Sequence, residues 1–231
     1  MRFSPLAITL ASTLLSTNYN PIQASLLQSN PQESPQRLSD TTNICTAAQG
    51  RTATCEVELD VPESCIVDGS SNCPIVFFFH GAGGTNDWFG RQSGVHANDV
   101  IGVYPQGENG WNTGPKNTNT CTWDDYDCTS DPDEGAFISS IIHELRSLGA
   151  LGNIYLVGNS NGAALAHRLA SNANENDLPI KGIITKVTQL LASPARSGPG
   201  NLNYNQPSAG GPPVSVLNLM GDNDLLIPYE G

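Results

Sequence analysis

The chain has 231 residues and a formal net charge of −12, from 10 basic and 22 acidic side chains. This length favours a single domain, or little more than one. The negative charge would repel a phosphate backbone and no basic stripe is visible, which argues against nucleic-acid binding. A neutral polymer is a compatible partner.

The first 24 residues predict a secretory signal peptide. Arg2 supplies the short positive region, residues 6–15 are largely apolar, and the tripeptide at 22–24 offers a small-residue cleavage site. A membrane anchor is the weaker alternative, because the apolar run is well short of the ~20 residues that a span needs. We therefore predict a secreted, extracellular protein with no membrane association after the signal is removed.

Residues 25–43 are polar and punctuated by prolines, without a strand or helix period, and are predicted to form a flexible leader. Residues 44–231 form the predicted domain. In an exported chain, six cysteines favour disulfides over a metal site. Sequence does not choose among the possible pairings, although proximity favours Cys121 with Cys128. The other four are Cys45, Cys55, Cys65 and Cys73.

Short apolar runs alternate with helical patterns through the domain. The predicted strands are residues 55–61, 74–79, 100–104, 153–157 and 214–219. One predicted helix spans 131–148, with Asp131 and Glu134 at capping-box spacing, Pro132 in the first turn and Gly149 at its end. A second, Ala-rich helix spans 161–171. Strands separated by helices predict an α/β fold with a mostly parallel sheet and helices on both faces.

The pentapeptide Gly158-Asn159-Ser160-Asn161-Gly162 lies between a predicted strand and a predicted helix. In a nucleophile elbow the serine occupies a strained strand-to-helix turn, so its neighbours must be small. The following helix directs its positive N-terminus at developing negative charge. This context predicts Ser160 as a catalytic nucleophile, and the alternative is a chance Gly-rich turn.

Acyl transfer also requires donors for an oxyanion. The segment from His80 to Gly84 follows strand 74–79, where this architecture places its oxyanion loop. The predicted donors are the backbone N–H groups of Ala82 and Asn161. His80 is predicted to order the loop rather than to act as a base.

A carboxylate that orients a catalytic histidine is expected after a later strand. The turn Gly221-Asp222-Asn223-Asp224 follows strand 214–219. We favour Asp224 as this acid, with Asp222 second. A solvated acidic turn is the alternative, since Asp and Asn favour turns.

Five blocks of sequence resemble the family of polyhydroxybutyrate depolymerases and feruloyl and acetylxylan esterases, from about residue 52 to the last residue. The resemblance implies an α/β-hydrolase fold, a Ser-His-Asp triad with Ser160 and Asp224, the oxyanion donor Ala82, and no metal or cofactor. It places Trp111 near the substrate cleft, with a packed aromatic as the alternative. The blocks are FFFHGAGGTNDW, VIGVYPQGENGWN, DEGAFISSIIHEL, LVGNSNGAALAHRLA and GDNDLLIPYEG.

Two residues depart from the family pattern. Met220 stands where the family usually has histidine, and Gln106 where it usually has aspartate. Neither position carries proposed chemistry, although Met220 weakens the match around the acid.

The family's catalytic histidine follows the acid, yet all four histidines of this chain precede Asp224. A base must reach hydrogen-bonding distance of the serine hydroxyl. His143 is predicted to be solvent-exposed, His167 to point away from the serine, and His96 has no predicted place. We therefore expect a C-terminally incomplete sequence that lacks the catalytic histidine segment and the last strand and helix of the sheet.

The sequence thus favours a secreted serine esterase that hydrolyses carboxylic esters of plant-wall polysaccharides (feruloyl or acetylxylan) or polyesters through an acyl-enzyme on Ser160. An alternative is a non-catalytic exported relative that binds carbohydrate or polymer and lacks the histidine. A peptidase or lipase of the same fold is a third possibility, and the absence of a long apolar lid segment argues against a lipase. The expected partner is the ester-bearing polymer, and the expected state is a monomer.

Overall fold

The computed structural model describes residues 36–38, 56–65, 70–93, 95, 98–107, 110–111, 113, 134–171, 173, 178–187 and 213–224. The strands are β1 (Gln36–Leu38), β2 (Val57–Asp60), β3 (Ile75–Phe79), β4 (Ile101–Pro105), β5 (Ile154–Asn159), β6 (Ile180–Lys186) and β7 (Ser215–Leu219). The helices are α1 (Asn86–Ser93), α2 (Glu134–Ser147) and α3 (Asn161–Ser171), with a short 3-10 helix at Glu63–Cys65. None of these described helices is long and apolar enough to cross a membrane.

The strands form a single seven-stranded sheet in the order β1-β2-β4-β3-β5-β6-β7. Strand β2 pairs antiparallel with both of its neighbours, β1 and β4. The strands from β4 to β7 in this order, namely β4, β3, β5, β6 and β7, pair parallel with one another. Parallel neighbours need crossover connections, which place helices on the faces of the sheet. Because β4, β3, β5, β6 and β7 run parallel, their carboxyl ends meet at one edge of the sheet.

Two apolar layers cover the sheet on opposite faces. Successive residues of β3 point to opposite faces of the sheet. Ile75, Phe77 and Phe79 belong to the larger core, whereas Val76 and Phe78 belong to the smaller cluster. The larger core contains the apolar side chains of α2 and α3, and the smaller one includes a residue of α1. The predicted α/β fold with helices on both faces is thus confirmed.

Most predicted elements are confirmed to within about two residues of their bounds, and α3 has the bounds predicted for it. The predicted cap of α2 at Asp131 and Pro132 lies outside the described residues, which begin at Glu134 there. Besides the short 3-10 helix, three elements were not predicted, namely α1, β6 and β1. β1 differs from the expected unstructured leader, because three residues are too few to show a period and their pairing comes from the edge of β2.

The predicted end of α2 at Gly149 is confirmed in atomic detail. Gly149 has φ of 91°, its N–H donates to the carbonyl of Arg146, and the N–H of Ala150 donates to the carbonyl of Leu145. These two bonds define a Schellman motif, which favours glycine at the left-handed position. The Arg146 guanidinium donates to the carbonyls of Ala150 and Gly152, at 2.5 and 2.8 Å. The turn thereby leads the chain directly into β5.

A disulfide joins Cys65 to Cys73, with Cα atoms 5.5 Å apart and eight residues of sequence separation. Cys65 is buried against the larger core. The favoured pair Cys121 and Cys128 lies outside the described residues.

Removing this disulfide should lower the free energy of unfolding by about 2–3 kcal/mol, because the bond restricts a short loop of the unfolded chain. The change is Cys65→Ala with Cys73→Ala, and the measurement is urea denaturation of variant and parent under oxidising conditions. Equal midpoints for the two proteins would show that this bond adds no stability.

Candidate active site

Ser160 occupies the turn between β5 and α3 with φ of 51°, in the left-handed region that non-glycine residues seldom adopt. Its N–H donates to the carbonyl of Lys186 at the end of β6, at 2.9 Å. Its carbonyl accepts from the N–H groups of Ala163 and Ala164, at 2.8 and 3.2 Å, and so begins α3. The backbone of the serine is therefore held in a strained conformation from both sides, as expected for an elbow.

The glycines on either side of Ser160 are required by close backbone contacts. A Cβ built on Gly158 would lie 2.3 Å from the carbonyl oxygen of Gly162 and 2.6 Å from the backbone of Ala163. A Cβ built on Gly162 would lie 2.2 Å from the carbonyl oxygen of Phe79 and 2.5 Å from that of His80. Helix α3 thus packs directly against the end of β3.

The loop that follows β3 passes beside Ser160. A Cβ built on Gly81 would lie 3.4 Å from the Cβ of Ser160, so the glycine keeps the space next to the serine open. The N–H of Gly84 closes a turn onto the carbonyl of Gly81, at 3.0 Å. Ala82 lies exposed in this turn. Within the described part of the chain, no backbone hydrogen bond of a turn or loop uses the N–H of Ala82 or of Asn161.

His80 is almost fully buried, with 1% of its surface exposed. Its Nε2 accepts the N–H of Gly107 at 2.9 Å, so the proton of the neutral ring is on Nδ1, which donates to the carbonyl of Gly81 at 2.8 Å. Both ring nitrogens are thus engaged with the backbone. These contacts agree with the predicted role of His80 in ordering the loop.

Gln106 connects the same loop to α1. Its side-chain NH₂ lies 3.1 Å from His80 Nε2 and donates to the carbonyl of Gly107, while its Oε1 accepts the N–H of Asn86 at 2.9 Å. The position at which this chain departs from the family pattern is therefore part of the network that holds the loop.

Trp111 is buried, and its indole N–H donates to the carbonyl of His80 at 2.9 Å. Its ring packs against Phe79, with the ring centroids 5.3 Å apart. The backbone of Trp111 also pairs with the side chain of Asn161. Of the two alternatives for Trp111, the structure shows the packed aromatic, and a contact with substrate stays a prediction.

The candidate acids lie in the turn after β7, at the same sheet edge as Ser160 and separated from β5 by β6. Asp222 is exposed and accepts from the side chain of Asn223, at 3.2 Å. Asp224 is partly buried. The catalytic role of either residue stays a prediction.

Within the described ranges, the hydrogen bonds of Ser160 are to the backbone of Lys186, Ala163 and Ala164, and none is to a histidine. His143 is exposed on α2, as predicted. His167, on α3, lies 3.1 Å from the hydroxyl of Thr185. His96 lies outside the described residues.

His167 belongs to a polar network between α3, β6 and β7. The Thr185 hydroxyl donates to Asn218 Oδ1 at 2.9 Å, so it accepts from His167 and the imidazole proton is on Nε2. Burial lowers the pKa of His167 below its usual 6.5. The neutral ring therefore fits this network.

Because burial lowers the folded pKa of His167, the stabilisation associated with its neutral ring is fully present above the usual value of 6.5. It begins to be lost as pH falls below 6.5 and is lost completely once pH has passed through the lowered folded pKa. We expect the melting temperature of the parent to fall more steeply than that of His167→Gln between about pH 7.5 and about pH 5.5, near the ordinary pKa of histidine. Thermal melts of both proteins across this range isolate the effect, since the other titrating groups are common to both. Parallel curves would contradict it.

Sequence reasoning missed the residues that fix the loop around the serine, above all the side chain of Asn161 and the backbone at Gly107 and Gly110. The two closely spaced glycines before Trp111 were the available signal, because paired glycines often mark close backbone approach.

The mostly parallel sheet, its antiparallel strands at one end, helices on both faces and a serine on a strand-to-helix turn define the α/β-hydrolase fold, which this chain adopts. Two solved structures superpose on it at 16% identity. Thermogutta terrifontis esterase 2, phosphoramylated by tabun, gives a TM-score of 0.54 over 88% of this chain and 78% of that structure. A thermostable esterase gives 0.50 over 85% and 48%.

Among curated proteins, the chain is 30% identical over 166 residues to "Putative esterase NocK" of Nocardia uniformis subsp. tsuyamanensis. The match covers 68% of this chain and 42% of the relative, so the chain spans less than half the length of that protein. No family model matches the chain.

Proposed function

We propose that this chain carries the nucleophile and the oxyanion site of a serine carboxylic-ester hydrolase. The observation that supports the proposal is the arrangement at Ser160: a serine at φ of 51°, next to the open space left by Gly81 and at the N-terminus of α3. Backbone N–H groups at such a position stabilise developing negative charge.

In the proposed reaction, Ser160 Oγ attacks the ester carbonyl carbon, and the carbonyl oxygen becomes an oxyanion that accepts from the N–H groups of Ala82 and Asn161. The serine proton passes to a histidine and then to the departing alcohol, and water hydrolyses the acyl-enzyme by the same steps. His80 is unsuited to this role because both of its ring nitrogens bind the backbone. Asp224 would orient the histidine.

We propose esters of plant-wall polysaccharides or polyesters as the substrates of an extracellular enzyme. The sequence blocks shared with feruloyl and acetylxylan esterases and polyhydroxybutyrate depolymerases support this choice. A net charge of −12 is compatible with a neutral polymer. The relative and the superposed structures described as esterases also support ester chemistry.

The second candidate is a non-catalytic relative that binds such a polymer. It is supported by the described histidines, of which His80 and His167 are engaged elsewhere and His143 is exposed on α2.

A fluorophosphonate probe on the full-length protein separates the two candidates. We expect a single covalent adduct, mapped by mass spectrometry to the peptide that contains Ser160. A folded protein that is not labelled but is retained on xylan or polyester would favour the binding relative. Turnover of a feruloyl ester, an acetylated xylan and a short polyester would then identify the substrate.

A further inference from the structure

The side chain of Asn161 makes a paired contact with a distant loop. Its Oδ1 accepts the N–H of Trp111 at 2.6 Å, and its NH₂ donates to the carbonyl of the same residue at 3.1 Å. Both backbone groups of Trp111 are thus satisfied by one amide from a residue fifty positions later in the chain. Asn161 directly follows Ser160, so this contact joins the loop to the first turn of α3.

The same loop is attached to the segment that carries Ala82. The indole N–H of Trp111 donates to the carbonyl of His80, and the N–H of Gly107 donates to His80 Nε2, both at 2.9 Å. Hydrogen bonds therefore run from Asn161 through Trp111 to His80, two residues before Ala82. They link the two segments whose N–H groups form the proposed oxyanion site.

Gly110 lies between those two segments. A Cβ built on it would lie 2.9 Å from Asn161 Oδ1 and 3.6 Å from the Cα of Ala82. Its φ is 144°, a conformation that other residues rarely adopt. Gly110 therefore lies close to both residues that carry the proposed donors, and a larger residue there would be strained and would push on the Asn161 side chain.

We propose that Asn161 is a positioning residue, whose side chain holds Gly110 and Trp111 against both halves of the oxyanion site and fixes the distance between their N–H donors. This inference rests on the proposed function. Such donors stabilise the transition state only if they are held near their productive geometry, so release of the loop should affect reaction more than binding.

The test compares Asn161→Ala with Asn218→Ala, a matched control that removes a part-buried asparagine bond on β7. Two measurements are made on the full-length protein: hydrogen exchange of the peptide containing residues 107–111, and the kinetics of fluorophosphonate labelling. For Asn161→Ala we expect faster exchange at the Trp111 amide. Its maximal labelling rate should fall about tenfold, with less than about twofold change in half-saturating probe concentration. The control should match the parent in both measurements.

Trp111→Phe provides a second variant, because it keeps an aromatic ring and removes the donor to the His80 carbonyl, together with part of the buried ring system. This variant should also be labelled more slowly than the parent. Parent-like exchange in Asn161→Ala, or parent-like labelling rates in both variants, would overturn the proposal. If the parent itself is not labelled while exchange still responds to Asn161→Ala, the proposed function fails and the contact is only structural.

Discussion

Replacing Ser160 with alanine should lower ester hydrolysis at least about a thousandfold and abolish fluorophosphonate labelling, while the fold is retained. The loss is large because the acyl-enzyme has no other nucleophile, and triad serines elsewhere show effects of this order or more. Stability should change little, since alanine at φ of 51° meets the same backbone restriction as serine. Initial rates with a nitrophenyl ester and a thermal melt measure the two effects.

Ser140→Ala is the matched control for this change. Ser140 lies on α2, and its hydroxyl donates to the carbonyl of Ala136 at 2.9 Å, away from the turn that carries Ser160. The control should hydrolyse ester at the parental rate. Labelling that persists in Ser160→Ala would assign the nucleophile to another residue.

Replacing Gly162 with alanine should destabilise the protein by about 3 kcal/mol or more and disrupt the turn at Ser160. The new Cβ would lie 2.2 Å from the carbonyl oxygen of Phe79 and 2.5 Å from that of His80. Both neighbours are backbone atoms, so no side-chain rotation relieves the clash. Helix α3 would have to move away from β3, and urea denaturation measures the cost.

Gly221→Ala is the control for stability, because its Cβ would meet only ordinary contacts, at 3.7 Å from the Cβ of Asp224 and 3.9 Å from its backbone nitrogen. We expect its unfolding midpoint to stay close to that of the parent. A Gly162→Ala variant as stable as this control would mean that α3 and β3 are less tightly packed than the distances indicate.

Much of the fold could be predicted because buried parallel strands form continuous apolar runs, as in β3 and β4. β6 was missed because Lys181, Gly182 and Thr185 interrupt its apolar residues. Thr185 is nevertheless fully buried, since its hydroxyl is satisfied by His167 and Asn218. Because these two partners lie on other elements, α3 and β7, no local pattern in the sequence of β6 indicates that Thr185 is buried. α1 was missed for a related reason, as its sequence NDWFGRQS has few apolar residues.

The position of Ser160 beside Gly81 could be anticipated from local motifs, because a strand, a tight turn and a helix follow one another in the chain. The pairing of Asn161 with Trp111 could not be anticipated, because it joins residues fifty positions apart and depends on a single rotamer of the Asn161 side chain. The tautomer of His80 was equally hidden, because the N–H of Gly107 determines it. Side-chain contacts with backbone far along the chain depend on how the loops fold, and periodicity carries no information about them.

Strand β7 has consequences for the handling of this chain. It is the last strand of the described sheet, and Val216, Leu217 and Leu219 are each about half exposed, with Ile184 of β6 beside them. A strand that ends a sheet and carries apolar side chains on both faces is a template onto which another extended chain adds. During folding, strands of this kind also bind chaperones and neighbouring molecules before they pair with their native partners. The yield of soluble protein should therefore depend on what lies against β7.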